Sequence, residues 1–423
     1  GRIIFYQLFM SRIKVYIIRR LNFKEHILKK PKLNHIINLI MFLYILSLYL
    51  FTFQEGLNAI SNIIALILIG LIWSKHVFIY KKIVINKFLI IYLFFIAISM
   101  ASVVFAIDSN TSVVKVRTLV LLFVLMTSMI NYIDKLNKLE KLMKYFAYSG
   151  FITSVYVILN SDFTNITRFG SELGNVNAIG MILGISSVFC FYFILENKDY
   201  KFIPMLLINT IVIFLTGSRK SLLFLVFTLI ILIFSKREKK LRNNIKVFMW
   251  SAIFVLIILY AIYNVPMFYQ IIGRRMENMA NFVFGEGTKE GSMNTRFMMI
   301  QMGWDWFKEH PFIGCGIDSY RILLGQEIGT ITYSHNNIIE LLVGIGMFGT
   351  ITYYLTHIVV IKDLYKCSKV LPKPLTYSFI AIILGYMFMS VGLVYYDNKH
   401  ISIILSVASI VYRIGEKEIN TLN

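Results

Sequence analysis

The sequence predicts an all-α protein that crosses a membrane many times, and three observations predict it. Apolar runs of roughly 16–20 residues recur along the 423-residue chain, close to the length a helix needs to cross about 30 Å of hydrocarbon. The runs are continuous rather than alternating, which favours helices over the strands of a barrel. Hydrophobic residues make up 57% of the chain and the mean hydropathy is +0.70. A water-soluble chain of this length divides into domains with polar surfaces instead.

Twelve spans follow, at about 36–53, 59–74, 88–107, 117–133, 145–160, 176–195, 202–216, 221–235, 247–264, 338–358, 375–394 and 400–412. With the N-terminus inside, 31 of the 43 Lys and Arg residues fall on inner connections and 12 on outer ones. That bias places both termini in the cytoplasm. The chain then divides into a cytoplasmic segment (1–35), nine spans (36–264), a long outer connection (265–337), three spans (338–412) and a cytoplasmic tail (413–423). The formal charge of +21 reflects this sidedness and attraction to anionic lipid, so no nucleic-acid partner is expected. The outer cations are the ones that need a separate reason.

Residues 1–35 alternate basic and apolar groups (Arg12, Lys14, Arg19, Arg20 and Lys24 among Ile, Val, Tyr and Leu). This predicts an amphipathic helix lying on the inner leaflet. The chain begins at Gly1 rather than Met, as a trimmed chain does, and its first segment is too charged for a cleavable signal peptide. Three cysteines are too few for a disulfide framework. Cys190 falls in a span, Cys315 in the outer connection and Cys367 in an inner one, so no pair is expected to meet. Abundant Ile, Lys, Asn and Phe with only 6 Pro fit an AT-rich genome and a low-GC bacterium.

The outer connection is patterned. Residues 266–283 and 294–309 carry helical apolar spacing, with Trp304 and Trp306 in the second, and predict interfacial helices. Gly285, Gly287 and Gly291 mark a flexible stretch between them, and Pro311-Phe312-Ile313-Gly314-Cys315-Gly316 is turn-rich. Long patterned loops on a rigid scaffold usually carry function.

Four motifs could carry chemistry. Thr216-Gly217-Ser218-Arg219-Lys220-Ser221 separates two short spans on the side where cations are disfavoured. Arg219 there is either a snorkelling cation or a bidentate anion site, with Gly217 letting backbone amides approach a phosphate. Arg168 through Asn175 and Asn177 forms a glycine- and amide-rich turn before the sixth span, suited to loop capping or to bonding a polar headgroup or sugar. Arg296 opens the second loop helix, as an interfacial anchor or an anion contact. Tyr333-Ser334-His335-Asn336-Asn337-Ile338-Ile339-Glu340 puts a titratable base at the mouth of a long apolar helix. Asn337 and Glu340 have capping-box spacing. His335, beside the positive end of the helix dipole, could accept a proton from a hydroxyl. The sequence holds no Asp-x-Asp pair, no Walker loop, no metal-spaced histidine cluster and no paired carboxylates of the glycosidase kind.

Together these segments resemble the O-antigen ligase and polymerase superfamily, and within it the Wzy-type oligosaccharide repeat-unit polymerases of low-GC bacteria. The resemblance is carried by Gly174-Asn175-Val176-Asn177-Ala178-Ile179-Gly180, Thr216 to Leu223, Arg296 through Trp304 and Trp306 to Gly316, and Tyr333 to Gly349, in family order. It implies a GT-C-type glycosyltransferase, inverting and metal-independent, with no cofactor. The expected substrate is an undecaprenyl-pyrophosphate-linked oligosaccharide, joined on the outer face of the cytoplasmic membrane for capsule or exopolysaccharide. Membrane lipids and other polysaccharide-assembly proteins are the further partners. It puts Arg219 and Arg296 on the pyrophosphate and His335 on the acceptor hydroxyl. Arg168, Asn175, Asn177, Lys220, Asn336 and Glu340 would position substrate. Val176 stands where the family has proline. A ligase moving finished glycan to another acceptor is the alternative. A transporter or flippase would show two similar halves, and no internal repeat is evident.

The sidedness is directly testable by cysteine labelling of intact cells. A cysteine placed at Lys289 should react with an impermeant reagent, and one at Lys239 should not. The opposite pattern would invert the topology and move the candidate residues to the wrong face.

Overall fold

The structure is a computed structural model that describes residues 31–54, 56–76, 83–162, 168–235, 256–283 and 291–422, together with Met249 and Ile253. Every regular element among the described residues is helical. The helices are α1 (Pro31–Phe51), α2 (Asn58–Lys75), α3 (Lys87–Ser102), α4 (Ser109–Tyr132), α5 (Leu136–Asn160), α6 (Val176–Asn197), α7 (Phe202–Leu215) and α8 (Arg219–Ser235). They continue with α9 (Leu256–Asn264), α10 (Arg274–Val283), α11 (Gly291–Glu309), α12 (Tyr320–Ile328), α13 (Asn337–Cys367), α14 (Lys373–Met389), α15 (Lys399–Ala408) and α16 (Val411–Leu422).

Seven helices among the described residues are long and apolar enough to cross a membrane, namely α1 to α6 and α13. An eighth follows if α9 and the helical run Pro266–Asn278, bent by 88°, form one broken span. α7 and α14 are apolar but shorter. The protein is therefore an all-α polytopic membrane protein.

The helix starts are set by asparagine and aspartate. Asn86, Asp108, Asn175, Asn336 and Asn398 each accept backbone N–H bonds in the first turn of α3, α4, α6, α13 and α15. Caps also explain where helices depart from the apolar runs. The span expected from 117 begins at Ser109 because Asp108 caps it. The span expected from 145 begins at Leu136, through a basic turn that hydropathy does not see but helix geometry accepts. The span expected at 338–358 runs on to Cys367, so that cysteine ends a helix rather than lying in a loop. The span expected at 400–412 is two helices, broken at Ser409–Ile410. There the Ser409 hydroxyl donates to the Ser406 carbonyl and accepts from Asn86 Nδ2, which competes with the helical ladder. In the long connection both expected helices form, and α12 is an addition. All three cysteines are buried free thiols. The expected amphipathic helix of 1–35 lies outside the described residues up to 30, and the stretch 284–290 with Gly285 and Gly287 lies outside them altogether.

α6 is the central helix, with 83% of its most apolar window buried. Small residues let its neighbours come close. A Cβ at Gly184 would sit 2.6 Å from the ring of Phe224, and one at Gly385 would sit 2.6 Å from the same ring. Phe224 of α8 is thus wedged between α6 and α14. Buried polar groups are paired across helices, as apolar surroundings demand. Asn209 donates to Ser186 Oγ at 2.9 Å and accepts from Ser154 Oγ at 2.8 Å.

The connections sort onto two ends. At one end Ile107 N donates to the Cys315 carbonyl, Phe169 N to Leu215, Asn337 N to Ser390, and Lys399 Nζ to Asn62 Oδ1. At the other, Lys75 Nζ reaches Asn34 Oδ1 and Arg413 Nη2 reaches the Ile130 carbonyl. The N-termini of α4, α6, α8, α13 and α15 gather at the first end.

That end is held by an interlock of backbone on backbone. α13 breaks at Gly346, whose φ of 64° and ψ of −168° suit glycine alone. The turn at 311–315 fills the break: Met347 N donates to the Pro311 carbonyl and Cys315 N to the Val343 carbonyl, both at 2.8 Å. A Cβ at Gly346 would lie 2.3 Å from the Phe312 carbonyl group. Gly346→Ala should therefore cost about 2–4 kcal/mol, combining a strained dihedral with a clash. Gly70→Ala, where a Cβ meets nothing within 4 Å, is the control and should cost nothing. Thermal unfolding of both variants in detergent measures the difference, and equal melting temperatures would refute the interlock.

Candidate functional site

The site is built around the turn between α7 and α8. Gly217 takes a positive φ of 59°, and a Cβ there would lie 2.9 Å from Ile271. The close approach brings two arginines onto the turn's own backbone, and the turn's Arg219 reaches back to one of them. Arg168 Nε donates to the Thr216 carbonyl at 2.8 Å. Arg275 Nη1 donates to the Gly217 carbonyl at 3.0 Å, and Arg219 Nη1 donates to the Arg275 carbonyl at 2.7 Å. Arg219 and Arg275 thus latch each other's segments reciprocally. Lys220 donates through Nζ to the Gly392 carbonyl.

Amide side chains aim these groups. Asn177 Oδ1 accepts from Arg168 Nη2 at 2.9 Å. Asn175 is the N-cap of α6, accepting from Asn177 N and Ala178 N. Val176 occupies the first helical position, where the family's proline would equally fit because that N–H needs no helical partner. The departure from the family pattern leaves the turn a capped helix start.

The cations crowd one another. Arg168 is pushed down to about 10, by burial first and then by Arg275, Arg296 and Arg219. His335 is pushed down to about 4, again by burial first, then by Arg296 and Lys220. The structure therefore brings Arg168, Arg219, Lys220, Arg296 and His335 into one electrostatic neighbourhood, with Arg275 as a further member. Sequence reasoning noted Arg275 only as an outer cation; its twin Arg274 gave no means of choosing between them.

His335 sits in the left-handed region with φ of 59°, uncommon for a residue with a side chain. Both flanks are tied. Ser334 Oγ donates to the Asn336 carbonyl and accepts from Asn336 N. Ser334 N donates to Glu340 Oε2 at 2.8 Å. The ring packs on Tyr333, 4.3 Å between centroids. The expected capping box of Asn337 and Glu340 does not form. Asn336 is the N-cap, accepting from Ile338 N and Ile339 N. Asn337 Oδ1 instead accepts from Tyr395 N and Tyr396 N, pinning the 390–398 turn to α13. Glu340, 2% exposed, holds the histidine loop through Ser334. Asn336 and Glu340 thus order the site from behind.

Beside the cation cluster lies a cleft of about 560 Å³. Asn175, Tyr333 and Glu340 form one wall, and Lys115, Asp318, Arg321, Asp397 and Lys399 contribute charge. Lys115 Nζ bridges Asp397 at 2.6 Å and Asp318 at 3.6 Å, and Arg321 pairs with Asp318 at 2.9 Å. Burial raises the Asp318 pKa while Lys115 and Arg321 oppose the rise. None of these residues was singled out as a site candidate from sequence. Lys115 and Arg321 stood out only as outer cations, and the aspartates carried no signal. Among the described residues, no three His, Cys, Asp or Glu side chains are grouped to hold a metal ion.

Residues 204–354 match the family described as O-antigen ligase. No curated protein matches the chain. The matched segment runs from α7 into α13 and contains Arg219, Lys220, Arg275, Arg296 and His335. Arg168, Asn175 and Asn177 lie before it, and Asp397 lies after it.

The depressed basicity of His335 makes a definite prediction. Burial, then Arg296 and Lys220, push it down to about 4, below the ordinary histidine value of about 6.5, so it should be neutral between pH 7 and about 4. Inorganic pyrophosphate bound among the cations should raise the value by offsetting Arg296 and Lys220. Histidine-selective NMR of the protein and its His335→Ala variant would assign the resonance. A value of 6.5 or above without ligand, or no rise with pyrophosphate, would contradict this electrostatic picture.

Proposed function

From the match of residues 204–354 to the O-antigen ligase family, we propose that the chain is a repeat-unit polymerase acting on lipid-pyrophosphate-linked oligosaccharides. The donor is a glycan on undecaprenyl pyrophosphate, and the acceptor is a hydroxyl of a second such glycan. The single observation that carries this reading is the meeting of four arginines and Lys220 with His335 at the mouth of α13. Pyrophosphate carries adjacent anionic groups and leaves readily once its charge is offset. Arg219 and Arg296 contact it in this reading, while Arg168, Lys220 and Arg275 supply the surrounding positive potential.

His335 acts as general base. The acceptor oxygen attacks the anomeric carbon as the bond from that carbon to the pyrophosphate oxygen breaks. The hydroxyl proton passes to the imidazole, and the lipid pyrophosphate departs with the electron pair. One displacement of this kind inverts the anomeric centre. A base at about 4 is weak for this work. The donor's own negative charge offsets Arg296 and Lys220, the two causes after burial, so basicity rises when donor is in place. The excess of cations on the inner connections supports an active site on the outer face of the cytoplasmic membrane. A role in capsule or exopolysaccharide synthesis follows from the same substrate.

The glycolipids of cells lacking the protein test the reading. Single repeat units on lipid pyrophosphate should accumulate; long lipid-linked polymer would indicate a ligase instead. His335→Ala should abolish detectable polymer, since general-base catalysis contributes about 10²–10⁴-fold, while donor binding and melting temperature stay near wild type. Arg219→Lys should lower the rate about 10²-fold, because one ammonium cannot hold the Arg275 carbonyl and also fork onto a phosphate. Wild-type polymerisation in the His335→Ala variant would remove the base from the mechanism.

A further inference from the structure

The cleft beside the cation cluster contains hydrogen-bonding atoms that the fold itself leaves over. Among the described residues, the Tyr396 hydroxyl, Thr52 Oγ1 and Arg321 Nε are buried without a protein partner, and all three side chains line this one cleft. Tyr396 is 2% exposed. Buried polar atoms are usually satisfied; of the twelve without a hydrogen-bond partner among the described residues, these three belong to residues that line one cleft. A phenol, an alcohol and a guanidinium N–H suit a ligand that both donates and accepts.

Charge narrows the ligand further. The lining carries three acidic side chains (Asp318, Glu340, Asp397) and three basic ones (Lys115, Arg321, Lys399). They balance formally, and Lys115 and Arg321 are already committed to the aspartates. A phosphate gains little from such a wall, in contrast to the unbalanced cations around Arg219. A neutral molecule dense in hydroxyls fits it. Tyr333 fixes the geometry: it lines the cleft and its ring lies 4.3 Å from that of His335. A ligand hydroxyl at this wall is therefore beside the base.

We propose that the cleft seats the acceptor sugar, recognised through hydrogen bonds to the Tyr396 hydroxyl, Thr52 Oγ1 and Arg321 Nε. This inference rests on the glycan-transfer reading above and assigns its acceptor side. Donor and acceptor then occupy chemically distinct places, and Tyr333, which lines the cleft and packs on His335, stands between them. Two of the three recognising residues, Thr52 and Tyr396, lie outside the matched 204–354 segment, and Arg321 lies within it.

Two isosteric variants of the full chain in detergent test it. Tyr396→Phe and Thr52→Val each delete only a hydroxyl that bonds nothing in the protein, so folding and melting temperature should hold or improve. One probe is the set of oligosaccharides that mild acid releases from membrane glycolipids of cells making this protein; the other is inorganic pyrophosphate. Titration calorimetry should show each variant binding oligosaccharide about tenfold more weakly than wild type, equivalent to about 1.4 kcal/mol. Pyrophosphate affinity should stay unchanged. Equal oligosaccharide affinity in wild type and both variants would overturn the proposal, as would no oligosaccharide binding or displacement of the oligosaccharide by pyrophosphate. Pyrophosphate binding that is indifferent to Arg219→Ala and Arg296→Ala, alongside hydroxyl-dependent oligosaccharide binding, would instead refute the donor assignment and leave the sugar cleft standing.

Discussion

Mutual repulsion among Arg168, Arg219, Lys220, Arg275 and Arg296 is the constraint around which this end of the molecule is arranged. Two unit charges 4 Å apart repel by about 4 kcal/mol at an effective dielectric of 20. Several cations held together, partly out of water, therefore store considerable unfavourable energy. The fold offsets it with fixed oxygens. The carbonyls of Thr216, Gly217, Arg275 and Gly392 and the amide oxygen of Asn177 each accept from one of these groups. Carbonyl dipoles hold a guanidinium without cancelling its charge. The positive field is thereby retained for an incoming anion, and its cost is borne by the positive-φ turn at Gly217 and the bent segment that carries Arg275.

The histidine is held by a different support. The break at Gly346 and the turn docked in it separate the first two and a half turns of α13 from the long remainder. That short segment carries the Asn336 cap, Asn337 and Glu340, each bonded to a different neighbour. The strained backbone of His335 is thus fixed by its surroundings on both sides, as pre-organised catalytic groups are. Glu340 contributes through one backbone amide, and its effect on chemistry would be indirect.

Much of this was legible in the residues themselves. Hydropathy located the helices because each buries an apolar run long enough to stand alone. Boundaries moved where an aspartate cap or a basic amphipathic turn extended a helix beyond the apolar part, as at Ser109 and Leu136. Arg219, Arg296 and His335 were visible because cations on the cation-poor side and a base at a helix mouth are locally anomalous. Arg275 was hidden because its meaning lies in one contact, to a carbonyl 58 positions away. Asp397 was hidden for the same reason, since it gains significance from Lys115, 282 residues earlier. Single residues in long-range pairs leave no local pattern, whereas helix periodicity repeats itself every turn.

The turn at 390–398 has a consequence for how the molecule comes into being. It accepts Lys220 at Gly392, Asn337 bonds its Tyr395 and Tyr396 amides, and Asp397 takes Lys115. A ribosome delivers this turn after the arginines and the histidine have emerged. Until then Lys220 lacks the Gly392 carbonyl, Asn337 lacks the Tyr395 and Tyr396 amides, and the balanced cleft lacks a wall. A nascent or truncated chain in the bilayer therefore carries the charges of the site but not its shape. The arrangement around the cation cluster and His335 is complete only once this turn is in place.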